Sequence, residues 1–470
     1  MRRRTFLQNF LWLTGGALAG CSKHISLSDT RDHTLIKGIV STNGIGVPDV
    51  IVSDGFSVVK TGADGSYTMK LTLQSEHIFV SIPSGYNIPH KKNIANHYKI
   101  VEEGANFNFE LEPLTINDDK HQFMIWADPQ IKNGDDVGKL INQSVPDVQK
   151  YMQSLPANTL IHGICVGDIV WDNQPLFSSY NTAVEKCGLP FFQAIGNHDM
   201  DYRQGGDETS DVTFRKMYGP SYYSFNRGQV HYVVLDDVYY LGTEREYKGF
   251  ITKAQLEWLK NDLSYVSTDK VIVVCLHIPV HNKVENNTAL YAILKSYSKV
   301  HIMSGHTHYN QNVIKDNVYE HVHGTVCGAW WTGPICDDGT PPGYAIYEVD
   351  GTEVKWHYKS VGQDKQFQIR AMVEINDNGE RELFANVWNW DPSWKVEWQI
   401  DGIDKGLLPR VNDFDPLAVA LYKGDQLPKA RTFVEPHKTD HLFKAIVPAT
   451  TREVKIFAID RFGNKYETIT

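Results

Sequence analysis

After its first twenty-one residues the chain has no apolar run long enough to cross a bilayer as a helix, which excludes a helical membrane-spanning body. Basic clusters are equally absent beyond Arg2-Arg3-Arg4, and the formal charge is −10, from 46 Lys+Arg against 56 Asp+Glu. An acidic chain without a basic patch makes a poor non-specific nucleic-acid binder, so no nucleic-acid partner is expected. Cysteine is scarce, six in 470 residues, and no CxxC occurs, which excludes the thioredoxin and zinc-ribbon signatures. No internal repeat or low-complexity stretch appears, which excludes a solenoid.

What is present begins with a targeting segment over residues 1–21. Arg3-Arg4-Thr5-Phe6-Leu7 resembles a twin-arginine export signal, and Leu18-Ala19-Gly20-Cys21 resembles a bacterial lipobox. The expectation is an exported lipoprotein, periplasmic or at the cell surface, with lipid on Cys21 as its membrane anchor. Cys165 and Cys275 lie in strand-like runs and read as buried small apolar residues. Cys327 and Cys336 flank a Trp-rich loop and are placed to pair in an oxidising compartment.

A length of 470 residues implies two or three domains. Residues 34–114 read as a small β-sandwich, with short β-branched and aromatic runs separated by Ser53-Asp54-Gly55 and Asp64-Gly65. This stretch resembles the carboxypeptidase-regulatory or transthyretin-like modules of exported bacterial proteins. Residues 367–470 read as a second β-sandwich, with Trp388, Trp390 and Trp394 as packing residues or, alternatively, glycan-stacking ones. Between them, over about 120–362, strands alternate with helices, as in an α/β layered core. The clearest helix is Thr252 to Val266, where Thr252 and Gln255 form a capping-box pattern.

Five strand-like runs of this core end in metal-holding or proton-moving groups. Gln122 to Ala127 ends at Asp128-Pro129-Gln130, and Thr159 to Val166 ends at Gly167-Asp168. Phe191 to Ile195 ends at Gly196-Asn197-His198-Asp199. Val271 to Leu276 ends at His277, and Val300 to Ser304 ends at Gly305-His306-Thr307-His308. Loops at the carboxyl ends of the strands of an open α/β sheet form the ligand crevice, so the sheet would gather these residues at one edge. Each alone reads as a turn residue or a hydrogen-bonded loop histidine; the joint pattern is what points to a metal centre.

In order, these motifs resemble the five motifs of the calcineurin-like metallophosphoesterases, and the three-part layout is similar to that of exported phosphoesterases of Bacteroidetes. The resemblance implies a four-layer α/β/β/α sandwich flanked by two all-β domains. It implies a hydrolase with two divalent ions (Mn, Fe, Zn or Mg) sharing Asp168, with Asp128, His308 and Gln130 at the first ion and Asn197, His277 and His306 at the second. A metal-bridged hydroxide would attack the phosphorus of a phosphate mono- or diester in line, His198 would protonate the leaving group, and Asp199 would orient His198. Gln130 departs from the commoner histidine, so the first site should bind transition ions more weakly. Candidate substrate contacts are Arg203, Arg215, Trp330 and Trp331. The competing expectation is a surface-anchored glycan- or ligand-binding protein with a degenerate phosphoesterase core, motivated by Gln130 and the tryptophans.

Overall fold

The computed structural model describes residues 34–423, 427–428 and 430–470; Cys21 and the predicted targeting segment lie outside them. Two mixed sheets, each parallel at its middle, form the centre. The first runs, in order, Glu353–Ser360, Gly343–Asp350, Lys120–Trp126, Ile161–Val166, Phe191–Ala194, Ile94–Ala95 and His90–Lys91. The second runs Tyr223–Arg227, Val230–Val234, Val271–Cys275, Lys299–Ser304, Val318–Val322 and Gln311–Lys315. Ile161–Val166 and Val271–Cys275 are buried at every position, as strands covered on both faces must be. Aromatic rings fill the space between the sheets: Phe192 of the first stacks on Phe225 of the second, with ring centroids 3.8 Å apart.

Helices complete an α/β/β/α sandwich. Val145–Ser154 and Phe177–Cys187 contribute Val148, Tyr180 and Val184 to the core, and Lys253–Leu263 and Asn287–Leu294 contribute Leu259 and Leu290. Thr252 caps Lys253–Leu263 by accepting the Gln255 amide at 3.3 Å. The reciprocal half of the expected capping box is not made. The Gln255 side chain instead accepts from Asp236 N and donates to Asp236 O, fixing the loop after Val230–Val234.

Within each sheet the core strands run parallel: Lys120–Trp126, Ile161–Val166 and Phe191–Ala194 in one, Val271–Cys275 and Lys299–Ser304 in the other. Their carboxyl ends therefore leave each sheet on one side, which is what brings residues 128, 168, 197, 277 and 306 toward a common edge.

Among the described residues the N-terminal flanking region is all-β, and the C-terminal one is all-β apart from one helix. The N-terminal region builds two four-stranded sheets over a core that includes Val40, Val52 and Ile78, as the sequence predicted; its Ile94 also pairs in parallel with Phe191, adding an edge strand to the first central sheet. The C-terminal region has two four-stranded antiparallel sheets over a core that includes Leu383, Val396, Trp398 and Ile456. It also carries a helix that the strand pattern concealed, Pro416–Tyr422, capped by Asp415, whose carboxylate accepts from the Leu417 and Ala418 amides. Ala418 and Tyr422 of this helix pack with Ala329 and Ile335, joining the C-terminal region to the loop that follows the last motif. No helix among the described residues is long and apolar enough to cross a membrane.

Cys327 and Cys336 are buried and free, not bridged. The Thr325 hydroxyl lies between them, 3.4 Å from one sulfur and 3.8 Å from the other. Trp388 is fully buried and Trp394 nearly so, which makes them packing residues; Trp390 is partly covered by the Arg410 guanidinium.

Candidate metal centre

Asp168 stands at the middle of the strand-end cluster. Its Oδ1 lies 3.3 Å from Nε2 of His277, and its Oδ2 accepts from Nε2 of Gln130 at 3.0 Å. On the His277 side, Asn197 Oδ1 is 3.1 Å from His277 Nε2 and 3.0 Å from His306 Nδ1, and the two ring nitrogens are 3.2 Å apart. On the Gln130 side, Nε2 of His308 comes within 3.5 Å of Asp128 Oδ1. The ligand atoms of Asp168, His277 and His306 all fall within 4.8 Å of one another. One carboxylate thus touches two separate groups of donors.

The local backbone is bent to achieve this. Asp128, Gln130, Asp168, His306 and His308 all have φ between 40° and 69°, the left-handed region that non-glycine residues seldom occupy. Such conformations cost of order 1–3 kcal/mol each and persist where the surroundings impose them, typically at functional sites. Two glycines make the approach possible. A Cβ on Gly196 would stand 2.3 Å from Asp168 Oδ1, and one on Gly305 would stand 2.4 Å from Asp128 Oδ2.

Hydrogen bonds around the donors fix their direction. His277 Nδ1 donates to the Val166 carbonyl at 2.9 Å, which leaves Nε2 as the nitrogen facing Asp168 and Asn197. The Asp237 carboxylate accepts the amides of His277 and Ile278, holding that loop. Asp128 accepts the His306 amide through both oxygens, at 3.1 and 3.0 Å. Burial would depress the His277 imidazole, but the adjacent Asp168 charge overrides it and raises the group to about 10. Asp168 moves the opposite way: burial would raise its carboxyl, but His277 and His198 hold it well below the usual range.

The residues fit divalent metal. Gln130 Oε1 and His308 Nδ1 are buried with no hydrogen-bond partner, a costly state for polar atoms inside a protein. Imidazole nitrogens, carboxylate oxygens and amide oxygens form a mixed donor set suited to transition ions or Mg.

Three family models match successive parts of the chain between residues 34 and 466. The N-terminal domain of calcineurin-like phosphoesterases matches residues 34–114, the calcineurin-like phosphoesterase domain matches 121–310, and the C-terminal domain of the same proteins matches 320–466. The chain belongs to the calcineurin-like phosphoesterases. No curated protein matches it significantly. Similar solved structures include a dimetal phosphatase from Danio rerio, 16% identical over 52% of this chain and 96% of that one, with a TM-score of 0.38. A purple acid phosphatase from yellow lupin seeds is 13% identical over 67% of each chain, with a TM-score of 0.40.

As a calcineurin-like phosphoesterase, the protein is an enzyme that hydrolyses phosphate esters with divalent metal ions. Beside the candidate metal ligands stands His198, the one member of its motif left partly exposed, with 24% of its side chain open. Its amide donates to Asp168 Oδ1 at 2.8 Å, and its Nδ1 donates to Asp172 Oδ1 at 2.9 Å. Burial would lower this imidazole, yet Asp168 and Asp172 raise it above its ordinary value. The expectation that Asp199 orients His198 is corrected here. Asp199 is fully buried and accepts the amides of Ile169, Val170 and Gly196, so its oxygens tie two loops together and do not reach the imidazole.

Neither predicted arginine joins the site. Arg203 is paired with Glu244 on the surface, and Arg215 is held between Asp211 and Glu76, each at 3.0 Å. Glu244 and Glu76 are distant from these arginines in sequence, whereas Asp211 is four residues before Arg215. The two tryptophans divide. Trp330 stacks on the His308 ring, with centroids 4.1 Å apart, whereas Trp331 is buried and donates its indole N–H to the Pro129 carbonyl at 2.8 Å. Sequence reasoning missed Trp171, Asp172, Arg245 and Tyr247. Arg245 pairs with Asp172 at 3.0 Å, and the Tyr247 ring lies 6.0 Å from that of His306. Only Asp172 carried a local signal, being a second carboxylate four residues after Asp168.

Proposed function

We propose that this phosphoesterase holds two divalent ions, with Asp168 shared between them, Asp128, Gln130 and His308 completing one set and Asn197, His277 and His306 the other. The single observation that carries this reading is the position of Asp168 between the two donor groups, 3.3 Å from His277 on one side and 3.0 Å from Gln130 on the other. When bound, the ions supply Lewis acidity toward the phosphoryl oxygens and lower the pKa of coordinated water.

The protein's own groups then act on the ester. Asp172 holds Nδ1–H of His198, so Nε2 is the nitrogen that carries a proton toward the substrate. A water oxygen bonds to phosphorus from one side and sheds a proton to solvent while the bond to the leaving oxygen breaks on the other; Nε2 gives its proton to that departing oxygen and regains one from solvent. Asp199 and Asp237 contribute by holding loops, keeping His198 and His277 where the strands end. The substrate is a phosphate mono- or diester. Gln130 makes the first set a weaker site for late transition ions and favours Mn or Mg there.

Export and lipid attachment at Cys21 belong to the same proposal, supported by the Leu18-Ala19-Gly20-Cys21 motif and the arginines before it. Loss of metabolic palmitate labelling in Cys21→Ala, set against its presence in the native chain, tests it.

Phosphate release from bis-aryl and aryl esters with added Mn, together with metal analysis, tests the chemistry. Asp168→Ala is expected to lose both metal and turnover; His198→Ala is expected to keep its metal and lose turnover. Equal loss of metal in both variants rejects the division of roles.

A further inference from the structure

Three aromatic rings from three separate segments meet at the mouth of the metal centre. Trp171 follows the strand Ile161–Val166, adjoins Asp172 and lies 5.7 Å from the His198 ring. Trp330 follows the last motif and stacks on His308. Phe433 comes from the C-terminal region and sits against both indoles, 5.6 Å from Trp171 and 5.2 Å from Trp330, at interplanar angles of 90° and 72°.

Phe433 is nonetheless 53% exposed. Its segment is anchored rather than loosely placed: Arg431 pairs with Asp136, and the Ala430 carbonyl accepts the Thr332 hydroxyl at 2.7 Å. An open phenyl ring fixed edge-to-face between two tryptophans, beside a leaving-group acid on one side and a metal ligand on the other, is a stacking platform without its partner. Lys132 adds a cation: its ammonium lies 4.1 Å from the Trp171 ring and has no carboxylate partner among the described residues.

We propose that Phe433, backed by Trp171 and Trp330, binds the leaving group of the substrate, and that this leaving alcohol carries a planar aromatic ring, either a nucleobase or a simple aryl group. This rests on the metallophosphoesterase reading above. An aliphatic group would gain only buried area on such a surface, whereas a flat ring also gains the stacking that sets aromatic pairs apart. It follows that the C-terminal domain selects the substrate while the central domain performs the chemistry.

The test uses the Mn-loaded full chain and two matched pairs of esters. Adenosine 5′-monophosphate is compared with ribose 5-phosphate, and benzyl phosphate with cyclohexylmethyl phosphate; each pair shares its type of alcohol and differs in the ring. The native enzyme is expected to favour a ring-bearing ester by roughly fivefold or more in kcat/KM, the scale of base–aromatic stacking. Phe433→Ala should erase that preference through KM, lowering kcat/KM on the ring-bearing esters more than on the ringless ones, and be rescued by Phe433→Tyr. Preference for the nucleotide alone assigns a nucleobase; preference in both pairs assigns any aryl ring.

No preference in the native enzyme, or an equal fall on all four esters in Phe433→Ala, overturns the proposal. A second readout needs no turnover: adenosine 5′-monophosphate should quench the tryptophan fluorescence of metal-free protein, with weaker saturation in Phe433→Ala. Should neither these monoesters nor a bis-aryl diester be hydrolysed, the catalytic reading fails, and the quench alone decides the platform: present, it stands; absent, it falls.

Discussion

Asp172 Oδ1 lies 2.9 Å from Nδ1 of His198, and Asp172 Oδ2 lies 3.0 Å from the guanidinium of Arg245. The carboxylate that positions the proposed acid is therefore four residues beyond Asp168 and is itself held by a cation from a distant loop. Asp199, next to His198 in sequence, serves the backbone instead.

Exchanging these two carboxylates should separate their roles. Asp172→Asn is expected to lower kcat roughly 10–100-fold, the usual effect of removing a partner that orients a catalytic or ligating imidazole, with metal content unchanged. Asp199→Asn should instead lower the melting temperature, because its amide NH2 faces amide donors that a carboxylate satisfied. Steady-state kinetics, metal analysis and thermal unfolding on both variants check this; an unchanged kcat in Asp172→Asn would remove Asp172 from the mechanism.

Gln130 offers a buried, unpartnered amide oxygen where an imidazole would bind late transition ions more tightly. Gln130→His is expected to raise the metal retained after dialysis toward two ions per chain, while the native protein retains less. Elemental analysis after dialysis decides it, and full zinc occupancy of both sites in the native protein would contradict the expectation.

Gly196 admits no side chain. A Cβ there would meet the Asp168 amide nitrogen at 2.1 Å and its Oδ1 at 2.3 Å, and backbone cannot swing aside. Gly196→Ala should cost about 1–3 kcal/mol, the usual range for overpacking, and should lower metal content and turnover together. Denaturant unfolding and metal analysis read both; native metal content in this variant would show that the loop relaxes.

Acid should weaken the fold through histidines away from the metal centre. Burial lowers His301 to about 3 and His323 to about 4, and pushes His321 well below its ordinary value. His301 Nδ1 and His321 Nε2 are 3.1 Å apart, with Arg461 nearby adding to the depression of both. Folded-state values below the unfolded value of about 6.5 mean that the stability is present above pH 6.5 and is lost as pH falls from there toward 3. Each such histidine costs about 1.4 kcal/mol per pH unit over that span. Relative to its own stability at pH 8, His321→Gln should therefore lose about 2 kcal/mol less than the native chain by pH 5. Parallel curves of melting temperature against pH for the two proteins would reject this assignment.

The metal-binding side of the site was legible in the sequence because each of its parts is local. An apolar run that stops at a carboxylate or imidazole marks a strand end, and parallel pairing then carries strand ends to one edge whatever the distance between them in the chain. Asp128, Gln130, Asp168, Asn197, His277, His306 and His308 all follow that rule. The substrate side was not legible, because it depends on which surfaces meet. Arg215 is consumed by Glu76 of the N-terminal region, the Ile94–Phe191 pairing joins that region to the catalytic sheet, and Phe433 reaches Trp171 across more than half the chain.

By itself, then, the sequence determined which candidate ligands stand at strand ends and the α/β order of the core, since hydrophobic period and strand termini are properties of short segments. Only the tertiary structure decided that Asp172 rather than Asp199 holds His198, and that a C-terminal phenylalanine stands at the mouth of the site. Those choices turn on side chains 2.9 Å and 5.6 Å apart whose proximity no local pattern encodes.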